Sequence, residues 1–229
     1  MNEILWIIML FLNFSFILLA YKFWGKMGLY LWVAISTILA NIQVLKSIEL
    51  FGMPLTLGNI LYASSFLITD ILSENYGLKE SKKAINIGFF ALISMTILMN
   101  LAIYFVPSPQ DFGHESIKTI FRFMPKLVSA SLIAYFVSQT HDVYAFEFWR
   151  KLLPADKYFW IRNNFSTLVS QFIDTAIFTF IAFWDVFEVD YLISLIFTTY
   201  IIKVIIAIAD TPFLYIAKRM YKKKEYLDK

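Results

Sequence analysis

The sequence predicts an all-α integral membrane protein of about seven transmembrane helices, N-terminus outside and C-terminus inside. Three observations carry this. Of the 229 residues, 59% are hydrophobic and 16% charged, with a mean hydropathy of +0.66, a balance that soluble domains do not reach. Apolar runs close to the roughly 20 residues that a helix needs to cross the hydrocarbon core recur along the whole chain. Lysine and arginine, which stay on the cytoplasmic side of short loops, fall in alternate connections.

The first run, Ile4–Tyr21, is read as a retained helix, because Glu3 stands where a secretory signal has basic residues and no small-residue cleavage site follows. Leu29–Leu45 is the second and ends at Lys46. Leu55–Leu72 is the third; it ends near Asp70 and Glu74, and in the alternative arrangement of six spans it is a re-entrant segment. Ala84–Val106 and Thr119–Gln139 follow, the latter opened by Arg122 and Lys126. The connection Thr140–Asn163 includes FEFWRKLLPADKYFW, which reads as an amphipathic interfacial stretch. Asn164–Trp184 and Tyr191–Ala217 complete the set, and 218–229 is a basic cytoplasmic tail. No loop is long enough for a second domain, so 1–229 reads as one polytopic membrane domain.

Charge sets the orientation. One set of connections holds Lys22 and Lys26; Lys79, Lys82 and Lys83; Arg150, Lys151, Lys157 and Arg162; and the tail. The other holds Glu49; Asp111, His114, Glu115 and Lys118; and Asp185, Glu188 and Asp190. This alternation favours an odd number of spans.

Several function classes are excluded. With no cysteine there is no disulfide framework, thiolate nucleophile or thiolate-bound metal. No Gly-rich phosphate loop is present. His114 and His141 fall in expected loops without partners at metal-ligand spacing and read as solvated, so no metal or cofactor is expected. Lys222–Lys224 reads as a topology anchor at anionic headgroups, not as a nucleic-acid site.

Ionisable groups inside a span cost of order 2.5–3.5 kcal/mol each, which makes them functional candidates. At 1.5 Å per residue, Asp174 lies about 18 Å beyond Arg162, Lys203 about 22 Å and Asp210 about 12 Å before Lys218, and Asp70 about 10 Å before Gly77. Two tiers follow: Asp174 with Lys203 near the midplane, and Asp70 with Asp210 nearer the cytoplasm. Asn163, Thr167, Ser170, Gln171, Asp174 and Phe178 recur at helical spacing and form one stripe. Such a stripe suits either a polar helix seam or, at Gln171 and Asp174, a solvated ligand site. Ser138-Gln139-x-x-Asp142-x-x-x-Phe146 echoes Ser170-Gln171-x-x-Asp174-x-x-x-Phe178, which is compatible with a trace of an inverted repeat. Tyr62, Tyr135 and Phe178 are candidate stacking surfaces for a planar ligand.

ANIQVLK (40–46), FLITDILSENYG (66–77), NIGF (86–89), LVSASLIAYFVSQTHDVYAF (127–146), RNNFSTLVSQFIDTAIFTFIAF (162–183) and KVIIAIADTPFLY (203–215) together resemble the queuosine precursor transporter family, also called the vitamin uptake transporter family. At Tyr62-Ala63 the chain departs from the Tyr-Pro pair usual in that family, which removes the reason for a kink there. The resemblance implies import of a 7-deazaguanine base, either the 7-cyano or 7-aminomethyl precursor or queuine, for tRNA modification.

On that reading, Asn163, Asn164, Ser170, Gln171, Asp174, Lys203, Asp210 and Asp70 are the expected substrate contacts. Asp174 would accept from the N1–H and 2-amino donors of the base, and Asn163 or Gln171 would meet its O6; Lys203 is the expected counter-charge of Asp174. Glu74, Arg122, Gln139, Asp142 and Arg162 are the expected gating or coupling residues. The partners are the small-molecule base and the lipid bilayer, with a coupling proton or sodium ion and homo-oligomerisation left open. A substrate-binding subunit energised by a separate ATPase module is the alternative. An intramembrane enzyme lacks support, for there is no His–carboxylate metal set, activated serine or cysteine.

Overall fold

The computed structural model describes residues 1–152 and 159–223, except for the side chains at 64, 139, 142, 143, 146, 147, 149, 150 and 159–167. In chain order the elements are α1 (Asn2–Gln43), β1 (Ser47–Leu50), β2 (Met53–Thr56), α2 (Asn59–Tyr76), α3 (Leu78–Ile103), α4 (His114–Phe121), α5 (Met124–Leu152), α6 (Phe159–Phe183), α7 (Val189–Ala209) and α8 (Thr211–Lys223). Among the described residues, four stretches are long and apolar enough to cross a membrane: Asn2–Gln43, Leu78–Ile103, His114–Ser138 and Val189–Lys223. Chain contacts define two compact units, Met1–Met124 with Ile201–Lys229, and Pro125–Tyr200.

The first of these stretches is folded double. In a straight helix Asn13 and Trp32 would stand about 28 Å apart. Instead the Trp32 indole N–H donates to Asn13 Oδ1 at 3.0 Å, and the Phe16 and Trp32 rings lie 5.4 Å apart. The reversal occurs at Gly25 (φ 55°, ψ −137°), a conformation that a Cβ all but forbids. Just past the turn, a Cβ on Gly28 would lie 2.0 Å from the Ala20 carbonyl oxygen. The two limbs of α1 match the first two expected spans.

The third expected span is corrected at its start. Leu55 lies on β2, in a two-stranded antiparallel hairpin that pairs Ser47 with Thr56 and Leu50 with Met53. Phe51 and Gly52 turn it with φ of 52° and 74°, the positive values of a primed two-residue turn, which matches strand twist. The fold is therefore mostly helical with one small sheet, not purely α. Helix α2 starts at Asn59 and runs unbroken through Tyr62-Ala63.

In the first unit α2 is the central element, packed against α1, α3 and α8. Leu67, Ile68, Ile71 and Leu72 of α2 are fully buried with Phe14, Ile17 and Tyr21 of α1 and Ile206 of α7. Its two ends are chemically distinct. At one end, Asn2 donates to the Glu49 carbonyl at 2.9 Å and the Phe51 N–H donates to Glu3 at 3.3 Å. At the other, Lys26 pairs with Glu80 at 3.4 Å, Lys218 with Glu74, and the Tyr76 and Tyr221 rings lie 5.1 Å apart. The Gly25 turn, the Gly77 corner and the end of α8 thus share one end. These are three of the connections whose lysines the sequence assigns to one side, and Glu49 with the N-terminus lies opposite.

In the second unit α5 and α6 run antiparallel. Lys126 meets Asp185 and His141 meets Ser170; fifteen residues forward on α5 equal fifteen back from Asp185 into α6, as the common rise per residue requires. Two boundaries differ from expectation. Arg122 lies between α4 and α5 and does not open a helix, because Pro125 lacks the N–H that helix continuation would need and is tolerated in a first turn. Helix α5 continues to Leu152, so Thr140–Leu152 is helix, not connection. Large apolar side chains such as Phe90, Leu98, Phe136 and Phe180 are exposed. Such a surface suits lipid, where the backbone of a span is satisfied within the helix.

Candidate functional site

The polar groups of the first unit form two rungs between α2 and the α7–α8 segment. Lys203 is 5% exposed, and its ammonium lies 5.0 Å from the centre of the Tyr62 ring. Asp210 is also 5% exposed and leads into α8, which packs on α2, the helix that carries Asp70. From Tyr62 to Asp70 is about 12 Å along a helix, and from Lys203 to Asp210 about 11 Å. The rungs therefore match in spacing, and the two segments run parallel. Asp70 and Asp210 share a level, as depth counting expects. Tyr62 supplies the aromatic face over which the buried ammonium lies, a contact worth about 2 kcal/mol when desolvated.

Asp210 stands at a break. The expected seventh span, Tyr191–Ala217, is two helices: α7 ends at Ala209 and α8 begins at Thr211. Pro212 has no N–H to give the Ile208 carbonyl, and its ring would clash with that preceding turn. The chain restarts from Asp210, whose carbonyl accepts from the N–H groups of Phe213 at 2.9 Å and Leu214 at 3.0 Å. Interrupted membrane helices are where transporters place substrate and ion sites.

The second unit carries the α6 stripe. Ser170 is buried, and its hydroxyl lies 2.9 Å from His141 Nδ1. This corrects the reading of His141 as a solvated loop residue: it sits on α5 and holds α6. Gln171 and Asp174 are half-buried one turn apart, and the Gln171 carbonyl accepts from the Thr175 hydroxyl at 2.8 Å. The α5–α6 register brings 138–142 level with 169–173, so the two Ser-Gln-x-x-Asp segments lie at one height on antiparallel helices.

Other expected residues fall elsewhere. Glu74 is exposed at the end of α2 and paired with Lys218. Arg122 is exposed. His114 is the first residue of α4, where Asp111 accepts its N–H at 2.7 Å. Arg162, Asn163 and Asn164 lie on the first turns of α6, and Gln139 and Asp142 on α5, with side chains outside the described residues. Asp174 belongs to one unit and Lys203 to the other, so their expected pairing is not decided by the geometry of either. Two contacts escape residue counting: Tyr62 under Lys203 and His141 on Ser170. The break at Asp210 was signalled by Pro212.

Comparison with known proteins places the chain. The model of the putative vitamin uptake transporter family matches residues 56–217, a range that takes in both rungs and the α6 stripe. A probable queuosine precursor transporter of Bacillus subtilis (strain 168) is 40% identical over 224 residues, 98% of each chain. The queuosine precursor transporter of Escherichia coli (strain K12) is 27% identical over 74% of this chain and 75% of its own length. A probable queuosine precursor transporter of Haemophilus influenzae is 28% identical over 69% and 66%. No solved structure matches. With its repeated apolar helices, the chain belongs to the vitamin uptake transporter family and is a multi-pass transporter of the cell membrane.

Proposed function

We propose that this transporter imports a 7-deazaguanine base, the 7-cyano or 7-aminomethyl precursor or queuine, for use in tRNA modification. The observation that carries the reading is the 40% identity to the Bacillus subtilis relative, which extends over 98% of both chains and so leaves no region without a counterpart.

The chemistry of α6 supports such a cargo. Asp174 can accept two parallel hydrogen bonds from the N1–H and 2-amino groups of a guanine-like edge. Gln171, one turn away on the same helix, can donate to O6. A site built to satisfy such an edge rejects analogues that lack it, because its own polar groups would be left unpaired. No bond is made or broken in the cargo; the protein's work is recognition and passage.

Two measurements test this. Supplying each precursor to a cell that lacks both queuosine synthesis and uptake, but expresses this chain, should restore queuosine in tRNA with at least one of them. Replacing Asp174→Asn should abolish that rescue while leaving membrane insertion intact, since an amide cannot accept both donors. Rescue by no deazaguanine would overturn the substrate, and normal rescue by Asp174→Asn would remove Asp174 from the site. Uptake by the purified chain in liposomes would show that no separate ATPase module is needed.

A further inference from the structure

Gln171 and Asp174 can read a base edge only if α6 presents them at a fixed angle about its own axis. At 3.6 residues per turn, each residue advances about 100° around a helix. With Ser170 as the origin, Asp174 falls at about 40°, Phe178 at about 80° and Gln171 at about 100°. All three are half-buried and share one edge. Val169 and Phe180, which are exposed, fall at about 260° and 280°, on the opposite side.

Each flank of that edge is held by a different neighbour. On one flank, the hydroxyl of the buried Ser170 lies 2.9 Å from His141 Nδ1 on α5. On the other, about 200° from Ser170 around the helix, the Phe172 ring packs at 5.9 Å on Phe197 and at 5.5 Å, edge to face, on Tyr200 of α7. Gln171 is the residue between these two contacts, and Asp174 stands one turn beyond Ser170. The contacts differ in kind. Aromatic rings attract over a broad range of offsets and tilts, whereas a hydrogen bond weakens steeply once its angle falls below about 120°. The polar contact is therefore the stricter guide to rotation.

We propose that His141 is a positioning residue of the base site: through Ser170 it sets the rotation of α6, and so aims Asp174 and Gln171 at the edge of the base. It thereby determines selectivity without touching the cargo. Small rotations suffice. At the roughly 5 Å radius of a side-chain tip, a turn of about 10° displaces a carboxylate by about 0.9 Å, beyond the roughly 0.5 Å within which a binding group must be held. The role in selectivity rests on the reading of α6 given above.

The test has a part that needs no substrate. The chain has no cysteine, so single cysteines introduced along α6 from Val169 to Phe180 can each carry a nitroxide spin label. Collision with oxygen, which concentrates in lipid, should rise and fall with the helical period and peak at Val169 and Phe180. His141→Leu should rotate that peak around the helix, and His141→Asn, which keeps a hydrogen-bonding amide near the place of Nδ1, should leave it where it is. An unmoved peak in His141→Leu would overturn the positioning role. Competition against uptake of labelled precursor then reads the consequence. The wild-type chain should prefer 7-deazaguanine to 7-deazahypoxanthine, which lacks the 2-amino group. His141→Leu and Ser170→Ala should each lower that preference about tenfold, as the loss of one hydrogen bond to a charged group does, and His141→Asn should keep most of it. Equal losses for both competitors would make His141 a structural contact and overturn its part in selectivity. No preference in the wild-type chain would sink the base-edge reading of α6, and the spin-label profile would still decide whether His141 sets the rotation.

Discussion

The two polar stripes differ in how their buried groups are satisfied. Between α5 and α6, a buried hydroxyl meets an imidazole at hydrogen-bond distance, a neutral contact like those that hold membrane helices together. Between α2 and the α7–α8 segment, a buried ammonium rests on an aromatic face and a buried carboxylate stands where the helix is interrupted. The first arrangement loses little if nothing ever binds. The second buries ionisable groups inside a span, where a ligand that meets them can interact with one conformation more strongly than with another. Differential interaction of that kind is what allows a ligand to shift a conformational equilibrium, so the first unit is the better place to look for the moving part.

The largest effect should come from Lys203→Met, which keeps the length of the side chain and removes its charge. Uptake is expected to fall more than tenfold and thermal stability to fall as well, because the variant gives up the contact of a desolvated ammonium with the Tyr62 ring, worth about 2 kcal/mol. Intact uptake in that variant would make the Tyr62–Lys203 rung a structural contact and erase the contrast. A smaller effect is expected across α5 and α6. A double-mutant cycle of Ser170→Ala and His141→Ala should give a coupling energy of about 1 kcal/mol in unfolding measurements, the usual net worth of one hydrogen bond; additive losses would mean that the contact does not hold the pair. Smallest is the exposed Lys126–Asp185 pair. The Lys126 ammonium holds the Asp185 carboxyl below the usual carboxylate range. Its contribution is therefore complete above the ordinary aspartate value of about 3.9 and is lost as pH falls through the lowered one. Melting in detergent across that acid range should show a slight decline that Lys126→Ala removes.

Hydropathy reads the limbs of α1 directly, since each is an apolar run and Gly25-Lys26 interrupts them. It cannot read β1 and β2, because SIELFGMPLT flows into the next apolar run and its Phe-Gly turn lacks the Asn-Gly or Asp-Gly signal. It ends α5 too early for a physical reason: Thr140-His141-Asp142 stops a membrane run but not a helix, whose hydrogen bonds are indifferent to what lies outside. Depth counting finds the Asp70–Asp210 level because charges are rare markers in an apolar chain. The same method cannot select Tyr62 from 13 tyrosines as the partner of Lys203, since aromatic side chains occur at every depth. In the candidate site, then, the members, charged and neutral, are legible as candidates in the sequence, but which of them meet is not.

The order of synthesis gives the docking of α8 a further meaning. A chain emerges from the ribosome N-terminus first, so the doubled α1 can settle in the bilayer as a ready-made hairpin while most of the protein is still unmade. Helix α8, which packs on α1 and α2, leaves the ribosome after every other helix described. Until it arrives, Glu74 at the end of α2 lacks the ammonium of Lys218. That end of the first unit is thus completed only once its latest helix has closed on its earliest.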